Sequence, residues 1–205
     1  ARDKVYKLYE GYCSKSNLQR ILNNNNIKDF GLITANNVFA HADNLEEMLD
    51  SISNALNSKG VFCFEVSYIL DMVESKVVDY IYHEHLSYHG VKSLQPFLKK
   101  KGLYISDIKR IKTKGGSIRV ICSKESSKEN KNLVEDFIKL ENDAGCYLKE
   151  TFFKISSQIE VYKKMISDAL VNLGGDLFIY CYGAAPTSIV NSLLLAGFMK
   201  DSSPK

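Results

Sequence analysis

The chain has 205 residues, 45% of them hydrophobic and 25% charged, and 27 Lys and Arg against 24 Asp and Glu leave a formal net charge of +3. That is the composition of an ordinary globular protein, and it excludes disordered, collagen-like and fibrous classes. The basic excess is Lys scattered along the chain, which disfavours a dedicated nucleic-acid binder, and no run of 18 apolar residues is present to span a membrane as a helix.

The apolar content of Val5 to Cys13 predicts a strand, followed by a short helix around Asn17 to Leu22 and a polar Asn23 to Asn26 turn. Phe30 to Thr34 reads as a buried strand ending in Ala35, Asn36 and Asn37. Leu45, Met48, Leu49, Ile52, Ala55 and Leu56 then recur at helical spacing, with Asp43 and Glu46 as a capping box and Gly60 as the stop. Val61 to Val66 is an apolar run interrupted by one Glu, read as a strand covered on both faces. Strand, helix and strand make a βαβ unit, so the sheet is at least partly parallel.

A second helix is predicted from Val91 to Lys101, ending at Gly102. Leu103 to Ile111 and Ser117 to Ser123 alternate like two strands of an antiparallel hairpin turning at Lys114-Gly115-Gly116. Two long amphipathic helices fill 128 to 173, with a break near Gly145. After Gly174-Gly175 come a strand over Leu177 to Tyr182, a turn at Gly183-Ala184-Ala185-Pro186 and a helix over Thr187 to Leu195. A lone strand and helix cannot bury their own faces, and no GxGxxG loop occurs, so the reading expects a fragment cut at both ends.

The N-terminus has no signal-peptide pattern, and the five cysteines Cys13, Cys63, Cys122, Cys146 and Cys181 form no CxxC pair. A reducing, cytoplasmic setting is expected. Three of the four histidines, His83, His85 and His89, fall within one short segment, and the fourth, His41, follows the strand that ends at Asn37. Ligands of open α/β sheets bind beyond the carboxyl ends of the strands, where both groups lie. A single loop histidine is more often solvated than catalytic; clustering with Glu84 and two tyrosines reverses that for the group but not for each member. His83, His85 and His41 could ligate a metal as in a hydrolase, although Ser87 stands where an HExxH motif needs its second His. Alternatively one neutral imidazole takes a proton from a carbon acid while a Tyr or second His stabilises the oxyanion. The second needs no further ligands and is preferred; a non-catalytic α/β binding module is the third alternative.

Five segments in order, Ala35-Asn-Asn-Val-Phe-Ala-His41, Gly60-Val-Phe-Cys-Phe-Glu-Val66, Ile81-Tyr-His-Glu-His-Leu-Ser-Tyr88, Lys114-Gly-Gly-Ser-Ile-Arg-Val120 and Tyr182-Gly-Ala184, resemble the S-adenosylmethionine-dependent sugar C-methyltransferases that act on nucleotide-linked keto-deoxysugars. The resemblance implies an incomplete α/β, Rossmann-like methyltransferase domain over 1–125, a parallel sheet ending in an antiparallel hairpin. A helical linker over 126–175 and the start of a C-terminal α/β substrate domain over 176–205 would follow. It implies S-adenosylmethionine as cofactor, a nucleotide sugar as the partner, and zinc only in an N-terminal module upstream of Ala1. It places the general base on His85, with Glu84, Tyr82 and His41 in support, and the cofactor near Ala35, Asn36 and Asn37. Substrate contacts fall on Gly115, Gly116, Ser117, Tyr182, Gly183 and Ala184. No metal ligand is assigned in this chain, His83 receives no role, and His89 is read as structural. Two positions depart from the family pattern: Lys114 stands where His is common, and Thr187 where Lys is usual.

Overall fold

The computed structural model describes residues 7–77, 81 and 84–173. Within them, α1 (Lys15–Asn24), β1 (Phe30–Asn36), α2 (Leu45–Ala55), β2 (Leu56–Ser67) and α3 (Ile69–Ser75) precede α4 (Val91–Lys100), β3 (Tyr104–Ile111), β4 (Ser117–Ser123), α5 (Lys131–Asp143) and α6 (Lys149–Leu173). The four strands form one sheet in the order β1-β2-β4-β3. β1 and β2 are parallel across α2, while β4 runs antiparallel to both β2 and β3. This is the α/β architecture expected, a parallel pair closed by an antiparallel hairpin.

The core lies on one face of that sheet. Phe62, Phe64 and Val66 from β2 and Ile118, Val120 and Cys122 from β4 alternate inward and pack against Phe39, Leu49 and Ile52, and against Leu94 and Leu98 of α4. α5 packs on α4 and β3, burying Val134. The opposite face is less covered among the described residues. Leu32 is 59% exposed, Thr34 and Asn36 are exposed, and Cys63 is half-buried. On that side of β2, among the described residues, Val61, Cys63 and Ser67 are half-buried and Glu65 is buried, so its outer positions are partly covered.

Other local expectations shift for physical reasons. Residues 7–13 form no strand; Leu8 and Tyr12 are exposed, and without a neighbouring strand apolar content does not make a ladder. The cap of α2 is Asn44, whose side chain accepts from the Glu47 N–H at 3.0 Å, one residue later than the Asp43 and Glu46 pair. Both pairs satisfy the same pattern, so spacing alone does not choose between them. Gly60 does not stop this helix. α2 ends at Ala55 and β2 starts at once, with Gly60 buried inside the strand. The helix α3 was not anticipated, and the predicted elements after Gly174 lie outside the described residues.

Candidate active site

The chain leaves β1 through Asn37, whose backbone is left-handed at φ 53° and whose N–H donates to the Glu65 carbonyl of β2 at 2.8 Å. A single 3₁₀ turn, Phe39–His41, follows. Phe39 is fully buried, stacked on Phe64 at 4.5 Å between centroids and tilted against Phe62 at 5.7 Å. Ala40 is buried beside it, so the turn is pinned to the core and delivers His41 to the surface at the carboxyl end of the parallel strands.

The segment 84–90 meets this turn. Leu86 N–H donates to the Ala40 carbonyl at 2.7 Å, and His89 forms a parallel bridge with Tyr68, just after β2, with Ile69 N–H donating to the His89 carbonyl at 3.0 Å. His89 is 5% exposed, edge-on to Phe39 at 6.1 Å, with Ser87 Oγ 3.0 Å from its Nε2. Burial pushes the His89 imidazole down to about 4, so at neutral pH it is an uncharged part of the wall. Anchored on both sides, His85 stands with its ring 5.1 Å from that of His41 and 6.4 Å, at 88°, from that of Tyr88. His85 is half-buried, and Glu84 is exposed.

Of the sequence-predicted site, His41 and His85 are brought together, with Glu84 adjacent in the chain, whereas Tyr82 and His83 lie outside the described residues. Ala35 is buried, Asn36 exposed and Asn37 half-buried at the end of β1. Gly115 and Gly116 close the hairpin at positive φ, and the Gly116 carbonyl accepts from Tyr68 N–H at 3.3 Å. Ser117 is fully buried, its hydroxyl 3.3 Å from the Thr113 carbonyl to which it donates. Tyr182, Gly183 and Ala184 lie outside the described residues. Among the described residues no three His, Cys, Asp or Glu side chains converge to hold a metal ion, and no helix is long and apolar enough to cross a membrane.

Two carboxylates were missed by sequence reasoning. Glu65 is buried and accepts from Arg119 at 2.9 Å and from Thr113 Oγ1 at 3.1 Å. The signal was present, since it is the one charge in the apolar run Val61 to Val66. Glu141 of α5 is fully buried and accepts from Tyr68 Oη at 2.9 Å and Tyr147 Oη at 2.6 Å. It also accepts from the N–H groups of Val91 at 2.5 Å and Lys92 at 3.0 Å. Burial and the neighbouring carboxylate raise both tyrosine hydroxyls well above their ordinary range, keeping them protonated donors. Only its position one heptad after buried Val134 marks Glu141 as inward-facing.

Part of the chain is similar to known proteins. Residues 112–199 match the family described as C-methyltransferase C-terminal domain. That match covers less than half of the chain. A curated relative, C-methyltransferase NovU of Streptomyces niveus, is 33% identical over 92 residues, which is 45% of this chain and 22% of that protein. The chain thus spans about a fifth of the length of the curated relative it matches. Among solved structures, magnesium protoporphyrin IX methyltransferase (ChlM) from Synechocystis PCC 6803 with bound SAH aligns with 47% of this chain and 46% of its own, at a TM-score of 0.38 and 11% identity. The C-methyltransferase match starts at Lys112, so the β4 strand, α5 and Glu141 fall within it and the His41 and His85 pair falls before it.

Proposed function

We propose that this chain is part of an S-adenosylmethionine-dependent C-methyltransferase acting on a nucleotide-linked keto-deoxysugar, with His85 as general base. The observation that supports this most is the approach of His41 to His85, 5.1 Å between ring centroids, the first preceding α2 in the chain and the second following β2. Two neighbouring imidazoles can supply an acceptor for a carbon-bound proton and a donor for the oxyanion that forms. The C-methyltransferase family match and the Streptomyces relative support methylation at carbon.

The end of β1 suits the cofactor: Ala35 is small and buried, and Asn36 and Asn37 carry amide groups able to pair with the polar atoms of an amino acid or a nucleoside. When bound, S-adenosylmethionine supplies a methyl group already activated by its sulfonium. The protein's own work is then to acidify and orient the acceptor. The C–H bond alpha to the ketone breaks, its proton passes to an imidazole nitrogen of His85, and its electron pair moves onto the carbonyl oxygen. His41 and Tyr82 are the proposed donors to that oxygen, and Glu84 supports the base. The buried His89 and the Phe39 turn anchor the two segments that carry these rings, which would limit reorganisation during proton transfer.

The test uses the full-length parent protein with a panel of nucleotide-linked keto-deoxysugars in D2O. An H85Q variant should lose both methyl transfer and deuterium incorporation alpha to the ketone by about 10²- to 10⁴-fold. Wild-type exchange and turnover in H85Q would remove His85 from the reaction.

A further inference from the structure

We propose that Glu141 is a positioning residue for His85, acting as the clamp on the carboxyl end of the histidine loop. The inference rests on the reading of His85 as base. Glu141 sits on α5, far along the chain from that loop, yet among the described residues its carboxylate bonds only to Tyr68, Val91 and Lys92, where the loop is fastened, and to Tyr147. Val91 and Lys92, whose N–H groups it accepts, are the first two residues of α4, directly after the loop. These are orphan donors of a helix start, and the cap residue Gly90 offers them no side chain. A carboxylate supplied from another helix satisfies both and complements the positive end of the helix dipole.

The second attachment is Tyr68, which donates to Glu141 and whose backbone bridges His89. Glu141 therefore ties together the two strands of chain that flank the loop's end: Tyr68 at the exit of β2 and Val91 at the entry of α4. Tyr147 closes the arrangement from the far side, and the fit around it is tight. A Cβ on Gly90 would lie 2.2 Å from Tyr147 Oη and 3.2 Å from Glu141 Oε1. A carboxylate with four donors leaves little freedom of rotation, and the loop between Leu86 and His89 inherits that rigidity. Glu141 lies within the C-methyltransferase match, and through it the matched segment reaches the end of the histidine loop outside that match.

The experiment uses the full-length parent protein and two variants, E141Q and the milder Y68F, because the first removes a buried charge and can impair folding. Hydrogen exchange and steady-state kinetics are measured together. The expected result is faster amide exchange over residues 84–92, by about tenfold or more, with exchange over β3 and β4 unchanged. It is accompanied by a fall in kcat of about 10- to 100-fold in E141Q, a smaller fall in Y68F, and KM values within about twofold, since misplacing a base by an ångström acts on the chemical step. Unchanged exchange over 84–92 in Y68F and in any folded E141Q overturns the clamp, as does acceleration spread equally over the sheet. Normal turnover in H85Q overturns the reading of His85 instead, and the exchange measurement still decides whether Glu141 holds the loop.

Discussion

Replacing Gly90 by Ala places a methyl group 2.2 Å from Tyr147 Oη, 3.0 Å from Ile69 Cγ2 and 3.2 Å from Glu141 Oε1. The first separation is impossible, so the tyrosine hydroxyl must leave and its 2.6 Å bond to the Glu141 carboxylate is lost. A hydrogen bond to a charged partner is worth about 1.5–3 kcal/mol, and the residual crowding adds about 1 kcal/mol of overpacking strain. The expected destabilisation of G90A is about 3 kcal/mol, read as a fall in the urea midpoint of about 1–2 M for a slope near 2 kcal/mol/M. Y147F alone loses the same hydrogen bond and should cost about 2 kcal/mol. In the double variant that bond is counted once and the clashing oxygen is gone, so the two effects couple by about 2 kcal/mol in a double-mutant cycle. Additivity within about 0.5 kcal/mol would refute the packing of Gly90 against Tyr147, and with it the geometry around Glu141.

A second prediction concerns pH. The His89 imidazole titrates at about 4 when folded against an ordinary 6.5, so between these values the unfolded chain binds the extra proton and stability rises with pH. The full contribution, about 3 kcal/mol, is present above pH 6.5 and is lost as pH falls toward 4. Urea unfolding at pH 7 and pH 4.5 should show this slope in wild type and a flatter one in H89Q, and equal slopes would count against it. Third, G116A should lower the melting temperature by roughly 6–12 °C, since the position has φ 123° and an added Cβ meets Asp71 Cβ at 2.2 Å, for a cost of about 3 kcal/mol. A calorimetric shift under 2 °C would contradict it. The H85Q and E141Q measurements complete the set.

Much of the architecture was legible from residue periodicity. The α4 helix, the hairpin of β3 and β4, and the helices α5 and α6 follow from spacing, because amphipathic period and turn glycines are local properties. The strand predicted at the start failed because pairing needs a neighbour that composition does not reveal. The exposure of Leu32, Thr34 and Asn36 on β1 was not legible for the same reason: an apolar run does not state how many faces are covered. In the candidate site, the clustered histidines and their place after strand ends drew attention to His41 and His85, and the C-methyltransferase family reading came from ordered motifs.

By itself the sequence determined an α/β chain with a parallel βαβ unit, an antiparallel hairpin and a histidine-rich segment after the second strand. Only the tertiary structure decided that the His41 and His85 rings lie 5.1 Å apart, because that distance depends on Phe39 stacking on Phe64 and on Leu86 bonding to Ala40. It also decided the role of Glu141. An acidic residue in an amphipathic helix is ordinarily a solvated one, and what draws this carboxylate inside is a helix start and two tyrosines contributed by parts of the chain that meet it only when folded.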